Sequence, residues 1–121
     1  MNKEKVAELF STGQFIKVYD FIAENAKWEV VEENNYIGKK EIVENCEQVT
    51  KYFKSVTTNF ITKNIISNHK VVVIEGTAEF IRDNKTISFV TACDLYRFND
   101  QDQIESITSY CIQREKTSTN D

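Results

Sequence analysis

The chain has 121 residues, a formal net charge of -4 at neutral pH and a hydrophobic fraction of 40%. This length suits one domain with its own hydrophobic core. The acidic balance argues against a nucleic-acid-binding surface, which needs a basic patch. No stretch approaches the roughly 18 apolar residues of a membrane span, and the charged N-terminal segment lacks the apolar run of a signal peptide. We therefore expect a cytoplasmic protein with no membrane or nucleic-acid partner.

The three cysteines, Cys46, Cys93 and Cys111, form no CxxC motif and lie within apolar patterns. Buried free thiols therefore fit them better than a disulfide or a zinc site. The chain also contains no GxSxG, P-loop, GxGxxG or HExxH motif. We predict neither a metal nor a cofactor, and the missing motifs exclude most familiar enzyme classes.

Apolar residues at helical spacing predict three helices in the first half of the chain. The first covers residues 3–11 and ends before Gly13, which resembles a C-terminal cap. The second covers residues 14–25, and the third runs from Gly38 to about residue 54. Residues 27–33, between the second and third helices, have strand character and predict a short edge strand. The stripe of apolar residues on the third helix comprises Ile42, Cys46, Val49 and Phe53.

Beyond residue 55 the pattern changes from helical to extended. The four predicted strands cover residues 56–67, 70–82, 86–98 and 103–113. Short turn sequences separate them, so consecutive strands must be antiparallel. The result is an α+β domain over residues 1–114, with helices on one face of a bent antiparallel sheet. Residues 115–121 form a polar C-terminal tail.

The third of these strands, residues 86–98, has one carboxylate in its apolar middle. Because side chains alternate along a strand, one face carries Ser88, Val90, Ala92, Asp94, Tyr96 and Phe98. A buried carboxylate costs several kcal/mol unless it is paired, hydrogen-bonded, protonated or in contact with a wet cavity. Asp94 is therefore the first candidate for a functional residue. It is either a catalytic or ligand-orienting acid with a raised pKa, or a structural acid bonded to a neighbouring strand.

Three stretches carry a resemblance to a known family. Residues 28–31 followed by 36–42 resemble a first strand, its loop and the glycine that opens the third helix. Residues 93–99 resemble an acidic strand, and residues 103–110 a closing strand after an acidic turn. Together with the order of elements, they resemble the nuclear transport factor 2-like superfamily, in particular its SnoaL-like and ketosteroid-isomerase-like branch. The resemblance implies a cone-shaped sheet wrapped around the N-terminal helices and an apolar pocket, and homodimers are common in this family.

In isomerases of this branch, a tyrosine and a protonated aspartic acid donate hydrogen bonds to an oxyanion, and a second aspartate moves the proton. Matched residue by residue, the donor acid falls on Asp94. The tyrosine position falls on or near Val6, and the base position falls near Val30. Two of the three groups are thus absent. The resemblance implies a ketosteroid isomerase only if Glu32, on the same predicted strand face as Trp28 and Val30, serves as the base.

The hypothesis is a SnoaL-like homodimer whose apolar pocket binds a small ring-containing organic molecule and performs isomerisation, cyclisation or dehydration. Asp94 would be the hydrogen-bonding acid or proton carrier, with Glu32 as a second group. The predicted pocket walls are Trp28, Val30, Tyr36, Val90, Tyr96 and Tyr110. The alternative is a non-catalytic protein of the same fold. Its pocket would only bind a ligand, or its open sheet face, with Phe89 and Leu95, would be a dimerisation or protein-interaction surface.

Overall fold

The computed structural model describes residues 1–115, in which two α-helices and one 3-10 helix precede most of the sheet. Helix α1 (Lys3–Ser11) begins after Asn2, whose side-chain oxygen accepts a hydrogen bond from the backbone N–H of Lys5 at 2.8 Å. The 3-10 helix spans Phe15–Phe21, and α2 spans Lys39–Lys54. Within the described residues, no helix combines the length and the apolar character needed to cross a membrane.

Two glycines with positive φ mark the helix ends that the sequence predicts. Gly13, at φ 79°, donates its N–H to the carbonyl of Phe10 at 3.1 Å, and the next N–H, of Gln14, reaches the carbonyl of Leu9 at 2.9 Å. This pair of hydrogen bonds is typical of a helix that ends on a left-handed residue. Gly38, at φ 90°, immediately precedes α2. Glycine is favoured at both positions because it lacks a Cβ.

Six strands form one sheet in the order β2-β1-β6-β5-β4-β3. They are β1 (Ile22–Val30), β2 (Asn34–Ile37), β3 (Thr57–Asn68), β4 (Val71–Arg82), β5 (Lys85–Phe98) and β6 (Ile104–Glu115). The four strands of the C-terminal meander are antiparallel to their neighbours, as predicted. Strand β1 pairs antiparallel with β2 and parallel with β6.

The sheet curves around the helices. Helix α2 contacts β1 and β2 at one end of the strand order and β3 at the other end, while α1 contacts β3, β4 and β5. Because both ends of the sheet reach the same helix, the sheet must be strongly bent. The enclosed core contains Val6, Phe10, Ile42, Val72, Phe98 and Ile107, together with other buried apolar residues. The predicted α+β architecture, with a curved sheet wrapped around N-terminal helices, is confirmed.

The region between α1 and α2 differs from the prediction in detail. The predicted second helix, residues 14–25, is a 3-10 helix that ends at Phe21, and the chain is extended from Ile22 onward. The spacing of Phe15, Val18 and Ile22 is helical, but Ile22 is the first buried residue of β1. The predicted edge strand, residues 27–33, is the interior strand β1 followed by a turn. The edge position belongs to β2.

Strand β5 keeps the predicted alternation over its central residues. Its register pairs Val90 with Ala78, Ala92 with Gly76 and Asp94 with Ile74. The even-numbered side chains thus face the helices on the concave side of the sheet, and the odd-numbered ones face outward. The predicted polar tail, residues 115–121, lies outside the described residues except for Glu115 at the end of β6.

Candidate functional site

A cavity of about 320 Å³ lies between the helices and the concave face of the sheet. Its volume falls near the lower limit of typical small-molecule pockets. Seven aromatic side chains contribute to its wall: Phe10, Phe15, Trp28, Tyr36, Phe53, Phe60 and Phe80. Asp94 and Ser109 also line it, and Glu33, Asn34 and Asn45 add polar groups from the β1–β2 turn, β2 and α2. The site is thus an aromatic cavity with a few polar groups.

The Asp94 carboxyl is partly buried at the wall of this cavity and bonds to hydroxyl groups. Ser11, the last residue of α1, donates its hydroxyl hydrogen to Oδ2 of Asp94 at 2.7 Å. Ser109 lies opposite Asp94 on β6, and its hydroxyl favours the charged form of the carboxyl, which lowers the pKa of Asp94. Within the described residues, Asp94 takes part in no ion pair.

Two aromatic residues extend this hydrogen-bond network and determine which hydroxyl groups donate in it. The indole Nε1–H of Trp28 donates to Oγ of Ser109 at 3.0 Å. Because indole is only a donor, Ser109 must accept there, and its own hydrogen remains for Asp94. On the other side, the Tyr96 hydroxyl lies 2.6 Å from Oγ of Ser11. Since Ser11 gives its only hydrogen to Asp94, Tyr96 must be the donor of that bond. One chain of donors, from Tyr96 through Ser11, therefore ends on the Asp94 carboxylate, and Trp28 holds Ser109 in place beside it.

Burial raises the pKa of Asp94 above the ordinary value of 3.8, and the hydrogen bonds from Ser11 and Ser109 partly oppose that shift. The desolvation cost exceeds the gain from the two hydroxyls because neither carries a charge. The Tyr96 hydroxyl is completely buried, and burial together with the charge of Asp94 raises its pKa well above 10. Tyr96 therefore stays protonated at neutral pH and remains a donor.

The structure places four of the predicted pocket residues, Trp28, Val30, Tyr36 and Val90, at the cavity wall. Tyr96 shares the concave face, but its side chain is 0% exposed and contacts Ser11 beneath the wall. It supports Asp94 through Ser11. The roles of these residues in ligand binding stay predictions.

Two predicted site residues lie elsewhere. Tyr110 pairs with Cys93 and is 53% exposed on the outer face of the sheet, because the parity of β6 turns Ser109 inward in its place. Glu32 was predicted on the strand face of Trp28 and Val30. It lies instead in the exposed turn after β1, at φ 67°. The chain leaves the extended conformation before Glu32, so this carboxylate does not line the cavity, whereas that of Glu33 does.

Sequence reasoning missed Ser11 and Ser109, the two hydroxyl residues next to Asp94. Pairing the predicted strands through their turn would place Ile107 opposite Asp94, and the register shift between Arg97 and Phe98 brings Ser109 there instead. Ser11 had no local signal either, since its contact with Asp94 joins residues 83 positions apart. The cysteines also differ from expectation. Cys46 is buried, but Cys93 is only partly buried and Cys111 is exposed next to the cavity. No cluster of potential metal ligands occurs in residues 1–115.

Comparison with protein-family models finds no match. Comparison with curated proteins likewise finds none. Among solved structures, the chain is similar to an NTF2-like protein of unknown function from Cytophaga hutchinsonii, with 31% identity over 89% of this chain and 94% of that one, and a TM-score of 0.80. The chain belongs to the NTF2-like family. The predicted resemblance to the nuclear transport factor 2-like superfamily is thereby confirmed.

Two other structural neighbours, at lower identity, have named activities. One is an epoxide hydrolase/cyclase-like enzyme with a role in pyran ring formation in the polyether salinomycin. The two chains are 16% identical, the match covers 94% of this chain and 95% of that one, and the TM-score is 0.72. The other is a putative isomerase of the SnoaL-like family from Agrobacterium tumefaciens, with 11% identity, 89% and 95% coverage and a TM-score of 0.69. At these identities the likeness shows the fold alone.

Proposed function

We propose that this NTF2-like protein binds a small apolar, ring-containing organic molecule in the aromatic cavity and that Asp94 exchanges a proton with it. Isomerisation, cyclisation and dehydration are reactions of this kind. One observation carries the proposal: the Asp94 carboxyl lies at the cavity wall with hydroxyl partners and no charge partner among the described residues. A carboxyl with a raised pKa is better matched to proton exchange near neutral pH than an ordinary one.

The neighbours with named activities support the reaction class. Ring formation and isomerisation both commonly require a proton to be moved, and the two neighbours with this fold are an enzyme of pyran ring formation and a putative isomerase. The second candidate is a protein that binds the same class of ligand without transforming it. The small number of groups that could transfer a proton favours this second candidate. Within the described residues, Asp94 and Glu33 are the only carboxyl groups that line the cavity.

The test of the pocket is thermal unfolding of the wild type and of Asp94→Asn with a panel of apolar ring compounds, including steroid-like and polyketide-like molecules. A ligand at about 100 times its dissociation constant adds roughly 2.7 kcal/mol to the stability of the folded state. For a domain of this size, we expect a rise of roughly 10 °C in melting temperature. Asp94→Asn should reduce that rise without unfolding the protein.

Val90→Phe is the matched control, because it fills the cavity and leaves Asp94 in place. It should remove the ligand-dependent rise as well. Conversion of a stabilising ligand by the wild type, but not by Asp94→Asn, would favour catalysis over binding alone. If no compound raises the melting temperature of the wild type, the ligand-binding proposal fails.

We also propose that a second copy of the chain covers the outer face of the sheet. Ile61 and Ile112 are 52% and 74% exposed on that face, which also carries Phe89 on β5. In one row across the strands, Glu79 on β4 and Arg114 on β6 flank Phe89. A two-fold axis parallel to β5 would therefore place Glu79 of each copy over Arg114 of the other. The face is thus complementary to itself in charge as well as apolar.

Light scattering after size-exclusion chromatography tests this arrangement. We expect a dimer for the wild type, a weaker dimer for Arg114→Glu and recovery in the double variant Arg114→Glu/Glu79→Arg. Glu105→Lys changes the charge at another exposed position of β6 and should leave the dimer intact. A monomeric wild type at micromolar concentration contradicts the proposal.

A further inference from the structure

The charges of the cavity wall have one sign. Asp94 and Glu33 contribute carboxyl groups, and among residues 1–115 none of those that line the cavity is Lys, Arg or His. In the part of the chain that the structure describes, neither of these carboxyl groups forms an ion pair. An anionic ligand would add a third negative charge to a space of about 320 Å³. Such a ligand is therefore disfavoured.

The hydrogen bonds around Asp94 suit its ionised form. With Asp94 ionised, Ser11 donates to Oδ2 of Asp94 and accepts from Tyr96. Ser109 accepts from Trp28 and lies beside the carboxyl with its own hydrogen unused in that bond. The arrangement thus holds a carboxylate whose counter-ion is missing among the surrounding side chains, although burial makes that charge costly.

The rest of the wall suits a cation. Seven aromatic rings line the cavity, and the face of an aromatic ring attracts a cation that approaches within about 6 Å of its centre. Phe10 and Trp28 are packed edge to face, with ring centres 5.1 Å apart, so the rings present differently oriented surfaces to the same space. An apolar body gains contact area from these rings, and a positive group gains from both the rings and Asp94.

We infer that the ligand of this cavity carries a protonated amine on a ring-containing apolar body, with the ammonium group at Asp94 and the body against the aromatic wall. The inference rests on the proposed function, because it requires that the cavity binds a small molecule. It goes further by assigning the charge of the ligand. A neutral ligand would leave the carboxylate without a partner, and an anionic ligand would be repelled.

Matched probes of different charge test the inference. Isothermal titration at pH 7 would compare 2-phenylethylamine with 2-phenylethanol, which is nearly the same shape but uncharged, and with 3-phenylpropanoate, which is anionic. Hydrogen bonds to charged groups imply that the amine binds the wild type about tenfold or more tightly than the alcohol. The anion should not bind measurably. Asp94→Asn should reduce amine affinity about tenfold and reduce alcohol affinity much less.

Glu33→Gln is the control for a general effect of negative charge. Glu33 is exposed, so this variant should weaken amine binding much less than Asp94→Asn does. If the alcohol binds the wild type as tightly as the amine, the charge assignment is wrong and the ligand-binding proposal stands. If none of the three probes binds, the inference is overturned along with its premise. Should Asp94→Asn fail to fold, the ratio of amine to alcohol affinity in the wild type decides alone.

Discussion

Replacement of Phe10 by alanine is expected to lower the free energy of unfolding by about 3–5 kcal/mol. Phe10 is 3% exposed, and its ring packs against Phe15 at 4.9 Å, Trp28 at 5.1 Å and Tyr96 at 6.0 Å between ring centres. The substitution removes both the buried apolar area and three edge-to-face contacts. Because two of the three partner rings belong to the network around Asp94, the substitution should loosen the site as well.

Denaturant titration and thermal unfolding measure this effect, which corresponds to a fall of roughly 10–20 °C in melting temperature. Ile16→Ala is the control, since Ile16 is an apolar residue of the neighbouring 3-10 helix that is 76% exposed. It should change stability by less than about 0.5 kcal/mol. A Phe10→Ala protein within about 1 kcal/mol of the wild type would show that the aromatic cluster is not the centre of the core.

Asp94→Asn is expected to stabilise the folded protein at pH 7 by an amount on the order of 1 kcal/mol, which is the usual size of a single stabilising substitution. The carboxyl is partly desolvated, and its folded-state pKa is raised mainly by burial. An amide has no charge to desolvate. Its oxygen can keep the hydrogen bond from Ser11, so that Ser11 still accepts from Tyr96, and its NH2 group can face Ser109 or the cavity.

The difference in stability between Asp94→Asn and the wild type should depend on pH. Below the ordinary pKa of 3.8, Asp94 is protonated in both the folded and the unfolded chain and contributes no difference. As pH rises through the interval up to the raised folded-state pKa, the unfolded chain loses the proton first, so wild-type stability falls. The advantage of Asp94→Asn should therefore grow from about pH 4 upward and then level off.

Ser11→Ala, in contrast, is expected to destabilise the folded protein. It removes the hydroxyl that stabilises the carboxylate and the acceptor of the Tyr96 hydroxyl, so stability at pH 7 should fall by about 1.5–3 kcal/mol. Melting curves at half-unit pH steps compare both variants with the wild type. If Asp94→Asn melts several degrees below the wild type at pH 7, Asp94 is a structural acid and the proposal for the cavity loses its main support.

The prediction that Asp94 faces the concave side of the sheet could be made from the sequence because β5 is long and uninterrupted. A strand has a side-chain period of two, so one assignment fixes the direction of every residue until a bulge intervenes. The central part of β5 contains no register shift between Ser88 and Arg97 on its β6 side. The same rule correctly groups Val90 and Ala92 with Asp94 at the cavity.

Glu32 and Tyr110 could not be placed in the same way. The direction of Glu32 depends on where β1 ends, and strand ends are set by pairing with β2 and β6 rather than by local composition. Tyr110 was chosen for its aromatic ring, whereas its direction follows from the register with Cys93. Both cases depend on contacts between segments far apart in the chain, for which local patterns contain no information.

By itself, the sequence determined the order of most elements, the glycines that end α1 and precede α2, and the inward direction of Asp94. Each of these depends on local backbone preference or on the period of apolar residues. Both signals come from residues that are close together in the chain. The tertiary structure decided what Asp94 contacts, since Ser11 and Ser109 approach it from α1 and β6. It also decided that, within the described part of the chain, the cavity wall contains aromatic rings and two acidic residues but no basic one. Curvature of the sheet brings those side chains together, and curvature is a property of the whole fold.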